Sequence, residues 1–101
     1  MVYKNTEVVL KKSTYTSNNT LAVLMFDAKT NEYLGTITTN ISASDIVGDN
    51  TTAFVDINNF PGITEMLENS EIAFNTGMKA QSGFCTYPLY VFDISQIADK
   101  F

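Results

Sequence analysis

The side chains of this sequence whose type and spacing suit chemistry are carboxylates. Glu65, Glu68 and Glu71 recur at every third position of "EMLENSE", Asp45 and Asp49 stand four apart in "SASDIVGDN", and Asp56 follows the apolar run of "TAFVD". Carboxylates so arranged can share a proton or a cation, or they can present a negative field to a basic partner. The rest of the inventory decides between these. The 101 residues contain no histidine, no arginine and a single cysteine, Cys85. Neither a Ser-His-Asp nor a Cys-His nucleophile can be assembled from that set. Zinc lacks nitrogen and sulfur ligands, and "DIVGDN" lacks the alternating oxygen donors of a calcium loop. The acids therefore read as a binding face on a protein that is not an enzyme, with no catalytic residue, no metal and no cofactor expected.

The charge is distributed unevenly. Residues 30–78 carry Glu32, Asp45, Asp49, Asp56, Glu65, Glu68 and Glu71 and no lysine, whereas residues 1–29 carry Lys4, Lys11, Lys12 and Lys29 against Glu7 and Asp27. A chain of net charge −5 with no arginine is unsuited to phosphate contacts or to bidentate reading of guanine, so direct nucleic-acid binding is not expected. Cys85 has no histidine to activate it, and its nearest basic neighbour in sequence is Lys79; an inert, buried thiol is expected. The longest apolar run, "LAVLMF" at 21–26, is far short of the ~20 residues of a membrane span. The opening "MVYKNTEVVLKK" lacks the pattern of a signal peptide, which points to the cytoplasm and to no membrane partner.

The elements that must position these residues follow from periodicity. "TEVVLKK" (6–12) has strand composition, and the polar "STYTSNNT" (13–20) is a turn region. "LAVLMFD" (21–27) is apolar on both alternating sets, the mark of a central strand. "AKTNE" (28–32) suits a hairpin loop with Asn31 in a left-handed conformation. "YLGTITTNI" (33–41) places Tyr33, Ile37 and Ile41 on one face and Thr36, Thr38 and Asn40 on the other, and residues 42–50 form a loop. "TTAFVDIN" (51–58) returns as a strand with Ala53, Val55 and Ile57 inward and Asp56 outward. Asn58 or Asn59 can then cap a short helix, with Pro61 in its first turn and Ile63, Met66 and Leu67 as its apolar stripe, ending near Asn69 or Ser70. Residues 75–83 are a loop or an irregular strand, "FCTYPLYVFDI" (84–94) is the last long strand, and "SQIADK" (95–100) suits one helical turn capped by Ser95. The order predicts a single α+β domain over residues 1–101, a mainly antiparallel sheet of about five strands with one short helix packed on one face.

Pro88 interrupts the last strand, so that strand is expected at a sheet edge or bulged. Both of its faces are apolar, Phe84, Pro88, Tyr90 and Phe92 alternating with Cys85, Tyr87, Leu89 and Val91, so something must cover it.

The stretch 55–93 resembles one half of a family of short uncharacterised bacterial proteins carried on conjugative elements, plasmids and prophages. The resemblance rests on Val55, Asp56, Asn58, Asn59 and Pro61, on Thr76 and Gly77, and on the run Ser82 to Tyr90, "SGFCTYPLY". It implies a mobile-element setting and brings no activity with it.

In that setting the expected function is binding. The acidic face (Glu65, Glu68, Glu71, Asp45, Asp49 and Asp56) would attract a basic, nucleic-acid-binding host or defence protein, and Tyr87, Tyr90 and Phe60 would be buried at the contact. Anti-defence inhibition, by occupying a nucleic-acid groove in the manner of some anti-CRISPR proteins, is the sharpest form. The alternatives are a small-molecule site lined by Tyr87, Tyr90 and Phe60, and a homodimeric accessory of conjugation or phage maintenance built by pairing the last strand across a two-fold axis, so that the expected state is monomer or homodimer.

Overall fold

The computed structural model describes residues 1–16, 19–41 and 51–100. Among these the chain forms nine strands, one α-helix and one 3-10 turn: β1 Val2–Tyr3, β2 Thr6–Thr14, β3 Leu21–Asp27, β4 Tyr33–Thr36, β5 Thr38–Thr39, β6 Thr52–Val55, α1 Ile63–Asn69, β7 Ala73–Ser82, β8 Cys85–Phe92, the 3-10 turn Ile94–Gln96 and β9 Ala98–Asp99. They make two sheets. The first runs β1-β2-β3-β4 with β9 also on β2, and the second runs β5-β6-β8-β7. All ladders are antiparallel except β2 with β9. The class is α+β, as the sequence pattern predicts, with more strands than the expected five.

The extra strands have local causes. The segment 33–41 is not one strand but two in different sheets, β4 and β5, and Ile37 is the crossing point. Its N–H donates to the Val23 carbonyl (2.9 Å) and its carbonyl accepts from Asp56 N (2.8 Å), so one residue bonds to both sheets. β1, β5 and β9 are two-residue edge pieces, too short to leave a periodic signature.

The core lies between the sheets. Val8 and Leu10 of β2, Val23 and Met25 of β3, Val55 of β6 and Phe92 of β8 meet there, and Ile63 and Leu67 of α1 close one side. β3 is central, with Leu21 to Phe26 all buried, and its other face carries a second small cluster of Ala22, Leu24 and Phe26. Asn31 takes φ 61° in the β3–β4 turn, as expected of its short polar side chain.

The structure departs from the sequence pattern at three places. The strand at 51–58 ends at Val55, and the chain turns at once: Phe60 N donates to the Asp56 carbonyl at 3.0 Å. That turn reverses the alternation, so Asp56 is buried at 8% exposure while Ile57 is 39% exposed. Neither Asn58 nor Asn59 caps the helix. Gly62 does so at φ 83° without a side-chain bond, because the Asn59 amide is committed to Asp56. The 95–100 turn is a 3-10 turn capped by Asp93, which accepts from Ser95 N (3.2 Å), and β9 follows it.

Candidate functional site

The long β7–β8 hairpin carries the most exposed apolar surface. Of the exposed large hydrophobic side chains among the described residues, Phe74, Met78, Phe84 and Val91 all lie on it. Its shape follows from three local features of the sequence.

Ser82 pairs with Cys85, so Gly83 and Phe84 are the two loop residues of a tight turn. Gly83 is left-handed at φ 62° and Phe84 is not, the arrangement of a II′ hairpin turn, which needs glycine at its first central position. Phe84 stands at the tip at 106% exposure: no part of its ring is covered.

The second feature is a bulge. The register jumps from Asn75↔Tyr90 to Lys79↔Pro88, leaving Thr76, Gly77 and Met78 unpaired on β7. Side chains take over the ladder there. The Thr76 hydroxyl donates to the Leu89 carbonyl at 2.8 Å and accepts from Met78 N at 3.1 Å, while Asn75 Oδ1 accepts from Gly77 N at 2.8 Å. Gly77 supplies the φ of 86° that the loop requires.

Pro88 is the third. β6 pairs with β8 only through Leu89, Tyr90 and Val91. Pro88 is therefore the first residue beyond the β6 ladder, where the sheet narrows to two strands. The bulge beside Pro88 lies on the facing strand β7 and not on the proline's own strand, and β8 is not an edge in the order of the sheet: it lies between β6 and β7, and β7 and β5 are the edges. β6 therefore occupies one side of the last long strand at Leu89, Tyr90 and Val91, and leaves it uncovered only over residues 85–88. Residues 79–88 form a two-stranded arm with a bare phenylalanine at its end.

The hairpin thus divides the stretch "SGFCTYPLYVF". Leu89, Tyr90 and Phe92 are core (3%, 2% and 2% exposed), whereas residues 82–88 are surface or half-buried. Cys85 is half-buried on the arm beside Tyr87, and hydrogen bonding to that thiol, more than partial burial, raises the Tyr87 hydroxyl above its ordinary range.

The three aromatics expected at a contact are not brought together. Tyr87 is half-buried on the arm. Tyr90 lies on the opposite face of the same strand, in the core; its hydroxyl donates to Glu68 Oε2 at 2.9 Å, and burial, then that carboxylate, pushes its pKa up. Phe60 packs on the Tyr3 ring (centroids 6.3 Å apart) and over the backbone of Gly35, where a Cβ would come within 2.5 Å of its Cζ. Tyr90 and Phe60 are therefore structural, and no small-molecule pocket forms from this trio.

The acidic set is also rearranged. Glu65 and Glu68 are exposed on α1, but the seven-residue helix ends at Asn69, and Glu71 lies beyond it with φ 55°, so the expected row of three stops at two. Asp56 is turned inward and accepts from Asn59 N (3.1 Å) and Nδ2 (2.8 Å). Asp45 and Asp49 lie outside the described residues. What remains is an acidic end beside the hairpin: Glu68 reaches Tyr90, whose strand partner Asn75 opens the bulge. From β6 to the 3-10 turn, Asp56, Glu65, Glu68, Glu71 and Asp93 face only Lys79 in charge, while Lys4, Lys11, Lys12, Lys29 and Lys100 all belong to the first sheet and its turns.

Phe84, Met78, Phe74 and Val91 are the surface residues that periodicity did not single out. The signal for the first was present: Ser-Gly-Phe-Cys between two alternating runs fits a two-residue hairpin turn, which puts Phe84 at a tip instead of at the start of a strand.

Among the described residues no group of three or more cysteine, aspartate or glutamate side chains is placed to hold a metal ion, and no helix is long and apolar enough to cross a membrane. No curated protein and no solved structure matches this chain. The profile of DUF4313, a domain of unknown function, matches residues 9–100, and the chain belongs to that family.

Proposed function

We propose that the protein is a non-enzymatic binding protein of a mobile genetic element (a phage, plasmid or conjugative element) that acts in the cytoplasm of a bacterial host and inhibits a nucleic-acid enzyme of host defence. The observation that carries the binding reading is Phe84, a fully exposed aromatic at the end of a two-stranded arm. A bare phenylalanine costs solubility and gives the fold no packing, and its burial in a partner is what would offset that cost. Glu65, Glu68 and Glu71 near the base of the hairpin supply the charge that steers a basic surface toward it. The anti-defence target is the choice most consistent with an acidic protein in the mobile-element setting that the "SGFCTYPLY" run suggests: such a protein competes with DNA or RNA for a basic groove.

The test is capture from a bacterial lysate on immobilised protein, at low and high salt, with wild type, a Glu65→Lys/Glu68→Lys/Glu71→Lys variant and Phe84→Ser. Retention of a nucleic-acid enzyme that added DNA or raised salt displaces, and that both variants release, is the expected result. Retention unaffected by DNA and by both variants would overturn the proposal, as would no retention at low salt.

A further inference from the structure

We propose that the outer face of the first sheet, on the opposite half of the fold from the arm, is a binding site for a small aromatic anion: a flat ring system carrying one carboxylate, sulfonate or phosphate group.

Register puts two rows of side chains on this face. Lys11 pairs with Leu24 and Leu24 with Thr36; Val9 pairs with Phe26 and Phe26 with Tyr33. Between them and Lys100 lies a groove of about 500 Å³, lined by Leu24, Phe26, Tyr33, Thr36 and Lys100, which is within the size range of small-molecule sites. Its floor is apolar, since Leu24 and Phe26 belong to the second buried cluster. The Tyr33 ring, 53% exposed and tilted 58° to Phe26 with centroids 5.6 Å apart, forms an aromatic wall with an open face. That combination accepts a flat ring by stacking.

The charge on the groove is positive. Lys11 Nζ lies 5.1 Å from the Phe26 ring centroid and, among the described residues, makes no ion pair. Lys11 is thus next to the groove without lining it, Lys100 lines it, and no carboxylate does. Of the acids of this sheet and its turns, Glu7 pairs with the Met1 amino group at 3.2 Å, Asp99 stands 3.6 Å from Lys12 Nζ, and Asp27 accepts from Lys29 N (2.8 Å) and Thr30 N (3.1 Å); Glu32, in the β3–β4 turn, is exposed and does not line the groove. A protein of net charge −5 therefore presents an aromatic surface flanked by ammonium groups. Polar selectivity is also available. The Tyr33 and Thr36 hydroxyls share one hydrogen bond at 2.5 Å, so one of the two O–H groups remains to donate to a ligand oxygen.

A second cavity of similar volume, near Lys12 and Leu21, does not fit an anion as well. The Lys12 ammonium is already committed, donating to the Ile97 (2.7 Å) and Ile94 (3.1 Å) carbonyls and standing 3.6 Å from Asp99.

The test uses 8-anilinonaphthalene-1-sulfonate as the aromatic anion and N-phenyl-1-naphthylamine as its uncharged counterpart, each titrated by fluorescence into the full chain. Saturable one-to-one binding of the sulfonate is expected. Lys11→Gln should weaken it by about tenfold, the loss of one charge near 4 Å at intermediate dielectric, and leave the uncharged probe within about twofold. Lys11→Arg should retain sulfonate binding, and Tyr33→Ser, at an exposed position, should weaken both probes. Phe84→Ser controls for attachment to the arm and should change neither. Unsaturable binding, a sulfonate affinity indifferent to Lys11→Gln, or loss of the signal with Phe84→Ser would each overturn the proposal, and none of them depends on whether the arm binds a protein.

Discussion

Replacing Thr76 by valine tests whether a single hydroxyl holds the arm to the rest of the second sheet. Valine keeps the shape of threonine and suits a strand at least as well, so the change isolates the two bonds of the oxygen. One goes to the carbonyl of Leu89, a residue only 3% exposed, where water cannot readily take its place; the other receives the N–H of Met78, an exposed residue whose amide water can satisfy. Losing the first bond costs about 1–2 kcal/mol and losing the second little. The added methyl gains little because Thr76 is exposed. For a domain of this size, the loss corresponds to a fall in melting temperature of about 5–10 °C. Thr76→Ser, which keeps the oxygen, should fall by less than half as much. Thermal denaturation gives the magnitude, and hydrogen exchange of the amides in 79–88 gives the location, since protection should drop on the arm before it drops on β3. If Thr76→Val melts with wild type, the bulge is held by its backbone alone and the account of the arm's attachment is wrong.

Three other outcomes follow from particular contacts. Gly35→Ala should destabilise by about 1–3 kcal/mol, because the new Cβ meets Phe60 and the glycine sits at φ 142°; adding Phe60→Leu should recover part of the loss in urea denaturation, and full stability of the single variant would contradict the packing. Phe84→Ser should leave stability within about 0.5 kcal/mol, since the ring buries nothing in the fold; a clear drop in melting temperature would mean that the ring packs in the free protein. Hydrogen bonds from Ser95, then Gln96, hold the Asp93 carboxyl below the usual carboxylate range. A lowered folded-state pKa contributes stability that is present above the unfolded value near ~3.9 and lost as pH falls through the lower folded value. The gap in melting temperature between wild type and Asp93→Asn should therefore be open at pH ~6 and narrow below pH ~4, and a gap indifferent to pH would contradict the assignment.

The legible parts of the sequence are those where one physical rule acts alone. "LAVLMF" is apolar at every position, and only a central strand buries both sets, so β3 is where periodicity puts it. Asn31 fits a left-handed turn whatever surrounds it. The misread parts are those where a second rule interrupts the first. At Asp56 the strand period would send the carboxylate outward, but the chain turns after Val55 and the amide groups of Asn59 hold the carboxylate inside. At Glu71 the helical spacing continues in the sequence after the helix has stopped. Strand alternation by itself separates Tyr87 from Tyr90, since they are three residues apart and must face opposite ways, so they cannot share one surface. Gly83 carried the turn, and with it the exposure of Phe84, in plain view.

The division of charge between the two halves of the fold affects the approach of both ligands. The lysines that counter the acids in the sequence total do not counter them locally, because the chain sends Lys4, Lys11, Lys12 and Lys29 into the first sheet and returns at its end to add Lys100. Exposed charges more than about 8–10 Å apart are largely screened from one another at physiological salt. A basic partner approaching α1 and the arm meets a half in which five acids face Lys79, and an anion approaching Phe26 and Tyr33 meets a half in which five lysines face Glu7, Asp27, Glu32 and Asp99. Two opposite ligands can be served by one small domain, provided that the sheets keep their charges on separate faces. The parallel pairing of β9 with β2, through Lys11↔Ala98 and Lys12↔Asp99, sets Lys100 beside the groove and so contributes to that separation. Deleting residues 98–101 should consequently weaken the sulfonate probe at the first sheet while leaving capture through the arm unchanged, and equal loss of both would show that the faces are coupled through the fold.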